Sequence, residues 1–419
     1  MAATDEHSAF RTRPRVVVVG AGFGGMAAVQ ALHWADVDVL LIDRNGFNTF
    51  QPLLYQVATG GLNPGDVTYA LRAFAVKHPN ARFRRGTVVG IDTQAGHVRL
   101  DDDEIVDYDH LVVGTGVRAN FFDIPGAEEN SLTIYTRSEA LETRDHLFNE
   151  LDELSRAHDP RGRGTIVVVG GGATGVEMAG TLAEMVRGAL PYAYPELEPG
   201  SLRVVLVEMS EEVLGPFKAK LRSYAAKALR KRGVELKLGA TVAEVSPTEV
   251  RLSDGEVIAT RSVIWATGVT THPVVSTWGL PQGRGGRIQV GPDLRVVGLD
   301  NVFAIGDVAA DVEDPQPQLA QPAIQQGTHV AEQVRRVLAG LPPTDFRYKD
   351  KGTMATIGRR AAVAQMPNGI SFRGTIAWLA WLALHVIVLL SNRNRFAVVT
   401  NLAVRYLNWP RNVNVIVGH

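Results

Sequence analysis

With 419 residues, 45% of them apolar and 21% charged, the chain is long enough for two or three domains with proper cores and too apolar to be disordered. It contains no cysteine, which excludes a disulfide scaffold, Cys-ligated zinc, an iron–sulfur cluster and any redox dithiol. The net charge of −1 conceals an asymmetry: from Lys351 onward there are eight Lys or Arg and no Asp or Glu. A basic, apolar tail therefore follows an acidic body, a pattern that points to an anionic membrane and away from nucleic acid.

Residues 1–12 read as a loose polar tail without the apolar stretch of a signal peptide, so the expected location is cytoplasmic. Residues 15–19, Arg-Val-Val-Val-Val, form a continuous β-branched run of the kind buried on both faces of a parallel sheet. The turn Gly20-Ala21-Gly22-Phe23-Gly24-Gly25 follows, then a helical pattern over 26–34 and a strand over 37–43 that ends in Asp43. The same order returns at Thr165-Ile-Val-Val-Val169: the turn Gly170-Gly171-Gly172-Ala173-Thr174-Gly175, a helix over 176–187 and a strand over 202–208 ending in Glu208. Two βαβ dinucleotide units are thus expected in one chain. Further strands are expected at 110–113, before Gly114-Thr115-Gly116; at 262–265, before Ala266-Thr267-Gly268; and at 301–305, before Gly306-Asp307. The stretches 82–99 and 234–251 read as β-rich connections.

The fold class expected is α/β: two Rossmann-like domains in a glutathione-reductase-like arrangement, plus a C-terminal helical membrane-anchoring region. The boundaries are placed at 13–130 and 293–344 for a discontinuous first dinucleotide domain, 131–292 for the second, and 345–419 for the tail. Within the tail, 375–390 is an uncharged apolar stretch with two Trp, too short at 16 residues to span a bilayer. Phe396, Val399, Leu402, Tyr406 and Trp409 then recur at helical spacing, with Asn401, Arg405 and Asn408 on the other face. Two helices lying in the membrane interface, flanked by Arg and Trp, fit this pattern. A buried dimer-interface helix is the alternative. His385, inside the apolar run, reads as an interfacial side chain.

In each glycine turn the first glycine allows a sharp exit from the strand, the second lets the backbone approach a pyrophosphate, and the last lets helix and strand pack closely. The pyrophosphate then sits on free N–H groups at the helix N-terminus. Gly20, Gly22 and Gly25 carry these roles in the first unit, with Asp43, 18 residues after Gly25, on a ribose diol. Gly170, Gly172 and Gly175 carry them in the second. There the acid is Glu208, 33 residues after Gly175, a longer spacing than usual. A carboxylate at that place repels a 2′-phosphate, and Met209-Ser210-Glu211-Glu212 supplies no cation, so NADH is favoured over NADPH. No His, Asp and Glu cluster has metal spacing, and no metal is expected.

The order of these turns, with Ala266-Thr267-Gly268 and Phe303-Ala304-Ile305-Gly306-Asp307, resembles the two-dinucleotide-binding flavoproteins over roughly residues 13–340. The resemblance implies FAD on the first unit, with Asp307 on its ribityl chain and Arg44, Thr115, Gly116 and Gln321 among its contacts. It implies NADH on the second unit, with Thr267 and Gly268 beside it. The family's disulfide reductases, Cys-dependent peroxidases and sulfide:quinone reductases all need cysteine; the corresponding region here is Phe50-Gln51-Pro52-Leu53-Leu54-Tyr55-Gln56-Val57-Ala58-Thr59-Gly60. That segment, Ala320-Gln321-Pro322-Ala323-Ile324-Gln325, Gly175-Val176-Glu177, and the stretch from Lys351-Gly352-Thr353-Met354 to Arg393-Asn394-Arg395 resemble the type II NADH:quinone oxidoreductases. Gly114 departs from the family's usual Ala.

This second resemblance implies hydride transfer from NADH to FAD and two-electron reduction of ubiquinone or menaquinone without proton pumping. Gln321 and Gln325 would meet the quinone, or else satisfy backbone groups near the flavin. Glu177 would be a gate or proton relay, or else an acid placed by the helix dipole. A homodimer on the cytoplasmic face of the membrane is the expected assembly. Two other functions fit the body of the chain: a soluble reductase of a ferredoxin or rubredoxin, which leaves the tail unexplained, and a low-turnover redox-sensing flavoprotein.

Overall fold

The computed structural model describes residues 13–156, 164–198 and 200–408, with side chains placed as far as 404. In chain order the elements that position the sites begin with β1 (Arg15–Val19), α1 (Phe23–Ala31), β2 (Asp38–Asp43), α2 (Leu54–Ala58), β3 (Ala81–Arg85) and β4 (His110–Val113). The second glycine turn stands between β5 (Gly164–Val169) and α3 (Ala173–Glu184), followed by β6 (Leu202–Glu208), β7 (Val234–Leu238) and β8 (Ser262–Trp265). Then come β9 (Val302–Ala304), α4 (Ala320–Leu338), β10 (Thr353–Gly358), β11 (Ala361–Gln365), β12 (Ser371–Arg373), α5 (Thr375–Ile387) and α6 (Asn392–Asn408).

The chain forms two compact units. The first gathers residues up to 48, 69–118 and 269–350; the second gathers 49–68, 119–268 and 351 onward. The breaks fall at 118/119 and 268/269, where the sequence suggested 130 and 292, and the 49–68 segment goes with the second unit.

In the first unit five parallel strands run in the order β9-β4-β1-β2-β3. β1 is central, with Val17 opposite Leu40 on one side and Leu111 on the other. Val16, Val17 and Val18 are fully buried, which is why the run is uniformly β-branched with no polar alternation. β9 arrives from far along the sequence to complete this sheet.

In the second unit the order is β7-β6-β5-β8, again all parallel. Both turn-forming helices begin earlier than their apolar periodicity suggests: α1 at Phe23, not 26, and α3 at Ala173, not 176. The last residues of each glycine turn are already helical, and the glycines among them carry no periodic signal. α3 then widens into a π-helical turn at Met185–Ala189.

The C-terminal region corrects the helical expectation. It opens with a three-stranded antiparallel sheet, β10-β11-β12, before the two helices. β10 and β11 are joined through Arg359-Arg360, with Arg360 in the left-handed region at φ 59°, a tight reversal of the hairpin kind. The tail helices exist, but the two Trp of α5 turn inward. Trp378 and Trp381 of α5 are 8% and 2% exposed, while Ile376, Leu379 and Ile387 face outward.

α6 turns Val398 and Leu402 inward and leaves Phe396 75% exposed. Two of its asparagines face protein: Asn394 donates to the Thr68 carbonyl at 2.6 Å and Asn401 to Asp66 at 2.6 Å. The predicted stripe of Phe396, Val399 and Leu402 therefore splits between outside and inside. The side chain of Tyr406, with Trp409, lies outside the described residues. Among the described residues no helix is long and apolar enough to cross a membrane.

Candidate functional site

The first unit carries one glycine-turn site. Gly20 has φ 100°, and a Cβ there would meet the Gly114 carbonyl oxygen at 2.3 Å; a Cβ on Gly25 would meet the Gly20 oxygen at 1.9 Å. These two positions must be bare for the turn and the helix to close on the strand. Gly22 differs: it has an extended backbone, and no atom lies within 4 Å of where its Cβ would be. That open space lies at the N-cap of α1, which carries no side-chain cap, and a helix start favours an anion.

Asp43 is locked beside the turn, accepting from the Ala21 N–H at 2.7 Å and the Asn45 N–H at 2.7 Å. Burial pushes its carboxyl up, and these two bonds, with Arg44, oppose the push. Two bonds leave carboxylate lone pairs for a diol. The Thr115 hydroxyl is buried with no partner among the described residues, an orphan that a bound group would satisfy.

The Gly306-Asp307 turn is held by a residue that motif reading missed. Gln326, 5% exposed, accepts from the Gly306 N–H at 2.6 Å, and Gln318 donates to the Asp307 carbonyl at 3.0 Å. Burial raises the Asp307 carboxyl to about 6, opposed by the Arg287 guanidinium. Arg287 also reaches the Ala309 and Gln316 carbonyls. Nothing in the motif flagged it.

Gln321 and Gln325 both lie in the first two turns of α4 but are used differently. Gln321 Oε1 is buried with no partner among the described residues. Gln325 donates to the Lys349 carbonyl and accepts from the Lys349 N–H, both at 3.0 Å. Its amide is bonded on both sides to the Lys349 backbone.

The second unit repeats the architecture. A Cβ on Gly175 would meet the Gly170 oxygen at 1.8 Å, while Gly172 has open space around it. Glu208 accepts from the Gly171 N–H and, at 2.8 Å, from the Ser210 N–H. This is the arrangement of Asp43 on Ala21 and Asn45. The unusual spacing to Glu208 is absorbed by the longer helix and loop, and the carboxylate ends at the equivalent place. Gly268, at φ 67°, is covered by the Phe122 ring, and Thr267 packs on Gly170.

Glu177 lies one turn into α3. Only part of the residue is covered, but its carboxyl is withdrawn from water, and this burial pushes it up to about 8. Two neutral donors oppose the shift: the Thr356 N–H, at 3.2 Å, and the side chain of Trp381. Both come from the C-terminal region. Trp381 lies among Tyr55, 6.3 Å away by ring centroid, and His385, stacked at 4.0 Å. His385 is therefore a packed, half-buried ring. It donates through Nδ1 to the Trp381 carbonyl at 2.7 Å, and burial lowers it to about 4, so it is neutral at physiological pH. The 50–60 segment lies here as a buried turn and short helix carrying Tyr55. Among the described residues no group of His, Asp and Glu could hold a metal.

The residues expected for FAD thus gather in the first unit, and those expected for NADH, with Glu177, in the second. Both sets fit a dinucleotide: an open space where a second glycine lies, an uncapped helix start, and a fixed acid.

Comparison with known proteins agrees with this geometry. Residues 14–327 match the pyridine nucleotide-disulphide oxidoreductase family, and residues 351–408 match the NDH2 C-terminal domain. A type II NADH:quinone oxidoreductase of Mycobacterium tuberculosis is 37% identical over 416 residues, covering 95% of this chain and 89% of that one. One from Staphylococcus haemolyticus is 31% identical, covering 84% and 89%. The structure of NDH2 from Plasmodium falciparum in complex with NADH superposes with a TM-score of 0.87 at 17% identity, covering 96% of this chain and 100% of that one. From the paired glycine turns through the C-terminal module, the chain belongs to the type II NADH:quinone oxidoreductases.

Proposed function

We propose that this protein oxidises NADH and reduces a membrane quinone, with FAD on the first unit and NADH on the second. The observation that carries the reading is the duplicated site: two open glycine turns, each with its acid tied to the turn's own backbone, in a chain without cysteine. FAD, when bound, supplies the two-electron exchange between nicotinamide and quinone.

Gly22 leaves room for its pyrophosphate, Asp43 takes a ribose diol, and Asp307, in the turn that Gln326 holds at Gly306, faces the ribityl hydroxyls. Asp307 reaches that role as an acid that burial makes reluctant to ionise, which suits hydrogen bonding to hydroxyl groups. Thr267 and Gly268 lie beside the nicotinamide half of NADH, and Glu208 selects NADH by accepting from its ribose and repelling a 2′-phosphate.

Oxidation of NADH yields two electrons and one proton, and the quinone takes up two electrons and two protons, so one further proton is drawn from solvent. Glu177 carries that proton: a withdrawn carboxyl held by two neutral donors is protonated at neutral pH. Gln321, with an unmet amide oxygen, meets the flavin or quinone. Gln325 holds the 349 segment against α4.

The enzyme is peripheral to the membrane. Its lipid contact is the outward face of α5 and α6, where Ile376, Leu379, Ile387 and Phe396 are exposed beside Arg393 and Arg395, on the cytoplasmic side. A homodimer would rest two such faces side by side.

The test is NADH oxidation by detergent-held protein with and without a short-chain quinone, repeated with NADPH. Fast quinone-dependent turnover with NADH and little with NADPH is the expected result. Flavin reduction without quinone stimulation would overturn the reading.

A further inference from the structure

We infer that Phe122 is the surface on which the nicotinamide ring of NADH stacks. The inference rests on the reading of the second unit as the NADH site, and it names a residue that lies in neither glycine turn.

The topology sets where each end of the nucleotide lies. In the sheet order β7-β6-β5-β8, the glycine turn leaves β5. Glu208 ends β6 on one side of it, and Ala266-Thr267-Gly268 follows β8 on the other. A dinucleotide with its pyrophosphate on the turn and its adenosine ribose on Glu208 extends its other half toward β8. Thr267 stands at that seam, since a Cβ on Gly170 would lie 2.7 Å from the Thr267 Cβ. Gly268 is next along the chain, in the left-handed region at φ 67°, and a Cβ there would run into the Cζ and Cε2 end of the Phe122 ring. The ring therefore rests on a bare glycine at the nicotinamide end of the site.

Phe122 is held there against its own preferences. It is a large apolar ring, yet it is 54% exposed. Its backbone and that of Asp123 both lie in the left-handed region, at φ 55°, where a bulky residue is an outlier of the kind that clusters at functional sites. The loop around it is fastened to the same 265–268 segment. Asn120 Oδ1 accepts from the Phe122 N–H at 2.9 Å, and the Asn120 N–H donates to the Gly268 carbonyl at 3.2 Å. The Trp265 indole donates to the Asn120 carbonyl at 2.8 Å. Phe121 and Ile124 pack into the core that holds Trp265, with the Phe121 ring 5.5 Å from it by centroid. The neighbours of Phe122 thus point inward, while Phe122 alone is turned out over Gly268.

The nicotinamide is the flat ring at that end of NADH, and an offset stack on a fixed aromatic plane is favourable for it. Stacking also takes the exposed part of Phe122 out of water. A ring held by its plane presents its hydride in a fixed direction, which is what an efficient transfer needs.

The experiment uses the full chain, loaded with FAD and held in detergent. Rapid mixing with NADH gives the half-saturating concentration for flavin reduction, and the same reaction in the presence of ADP-ribose gives that competitor's inhibition constant. ADP-ribose keeps the adenosine, the pyrophosphate and the second ribose but has no nicotinamide. In Phe122→Ala the half-saturating NADH concentration is expected to rise by about two- to tenfold, the scale of one aromatic stack, and the inhibition constant of ADP-ribose to stay in place. Phe122→Trp, which keeps a flat ring, should restore NADH saturation toward the wild-type value. Phe122→Gly accepts the left-handed backbone without steric cost. It should melt no lower than wild type and still saturate late with NADH, and it replaces Phe122→Ala should that variant not accumulate with flavin.

ADP-ribose separates the two readings. If it does not compete with NADH in wild-type protein, the second unit is not the NADH site, and the inference goes down with the reading beneath it. If it competes, but NADH saturation is the same in the Ala and Gly variants as in wild type, the site stands and the role of Phe122 is overturned. Equal weakening of NADH and ADP-ribose also overturns it, since the ring would then be shaping the loop and not meeting the nicotinamide.

Discussion

At the scale of single residues, the two acids at the strand ends and the acid in α3 differ in how they are held, and the difference sets their chemistry. Glu208 spends one oxygen on Gly171 and the other on Ser210, which fixes the carboxylate for the ribose role proposed for it. Glu208→Ala should raise the KM for NADH roughly tenfold, from the loss of a charged hydrogen bond, and narrow the preference over NADPH; steady-state kinetics with both nucleotides checks this. Glu177 is a withdrawn acid whose pKa stands at about 8 against an ordinary 4.5. Glu177→Gln should lower quinone turnover by about a hundredfold, within the range of general acid catalysis, while rapid-mixing spectra still show flavin reduction by NADH. The same shift has a stability consequence. The folded state holds this proton more tightly than the unfolded chain, so the contribution is fully present below about pH 4.5 and is lost as pH rises through about 8. Wild-type protein should therefore lose thermal stability relative to Glu177→Gln across that window, which melting curves at several pH values would measure. The motifs named the acids but not their holders. Trp381 and Gln326 sit in runs that look apolar or merely helical, and only their placement in space makes them part of a site.

At the scale of elements, the glycine turns explain themselves by what each missing side chain would strike. A methyl at Gly25 would collide with the Gly20 oxygen at 1.9 Å, whereas one at Gly22 would enter open space. Gly25→Ala should therefore cost about 1–3 kcal/mol of stability, as overpacking does. Gly22→Ala should fold normally and lose FAD, because its methyl fills the room left for a pyrophosphate. Melting temperature and flavin content of the two purified variants separate these outcomes. The element types and order of both βαβ units were readable because a strand buried on two faces has no polar residue to blur the pattern. The C-terminal sheet was not readable. Thr353–Gly358 and Ala361–Gln365 mix small residues with few large apolar ones, and they are strands because they pair with each other and β10 packs on α3.

At the scale of the whole molecule, charge and apolar surface divide along the chain. The acidic body and the tail's eight basic residues suit a protein that approaches an anionic surface by one region only. Ile387→Asp and Phe396→Asp, both at outward positions, should each weaken binding to vesicles containing anionic lipid by about tenfold or more, since a buried apolar side chain is worth roughly 1.5–3 kcal/mol. Turnover with a short-chain quinone in detergent should be unchanged; vesicle sedimentation alongside that assay tests the pair. The sequence by itself determined the nucleotide chemistry, because a strand, a glycine turn and an acid act through local backbone geometry that neighbouring residues specify. It also determined the absence of cysteine chemistry and the charge asymmetry, which are matters of composition. Only the tertiary structure decided that Glu208 occupies the place of Asp43 despite its longer spacing, that Gln325 is spent on the backbone at Lys349, and that the tail tryptophan Trp381 turns inward. Each of those depends on which segments meet in space, and contacts between residues so far apart along the chain leave no periodicity for a sequence to display.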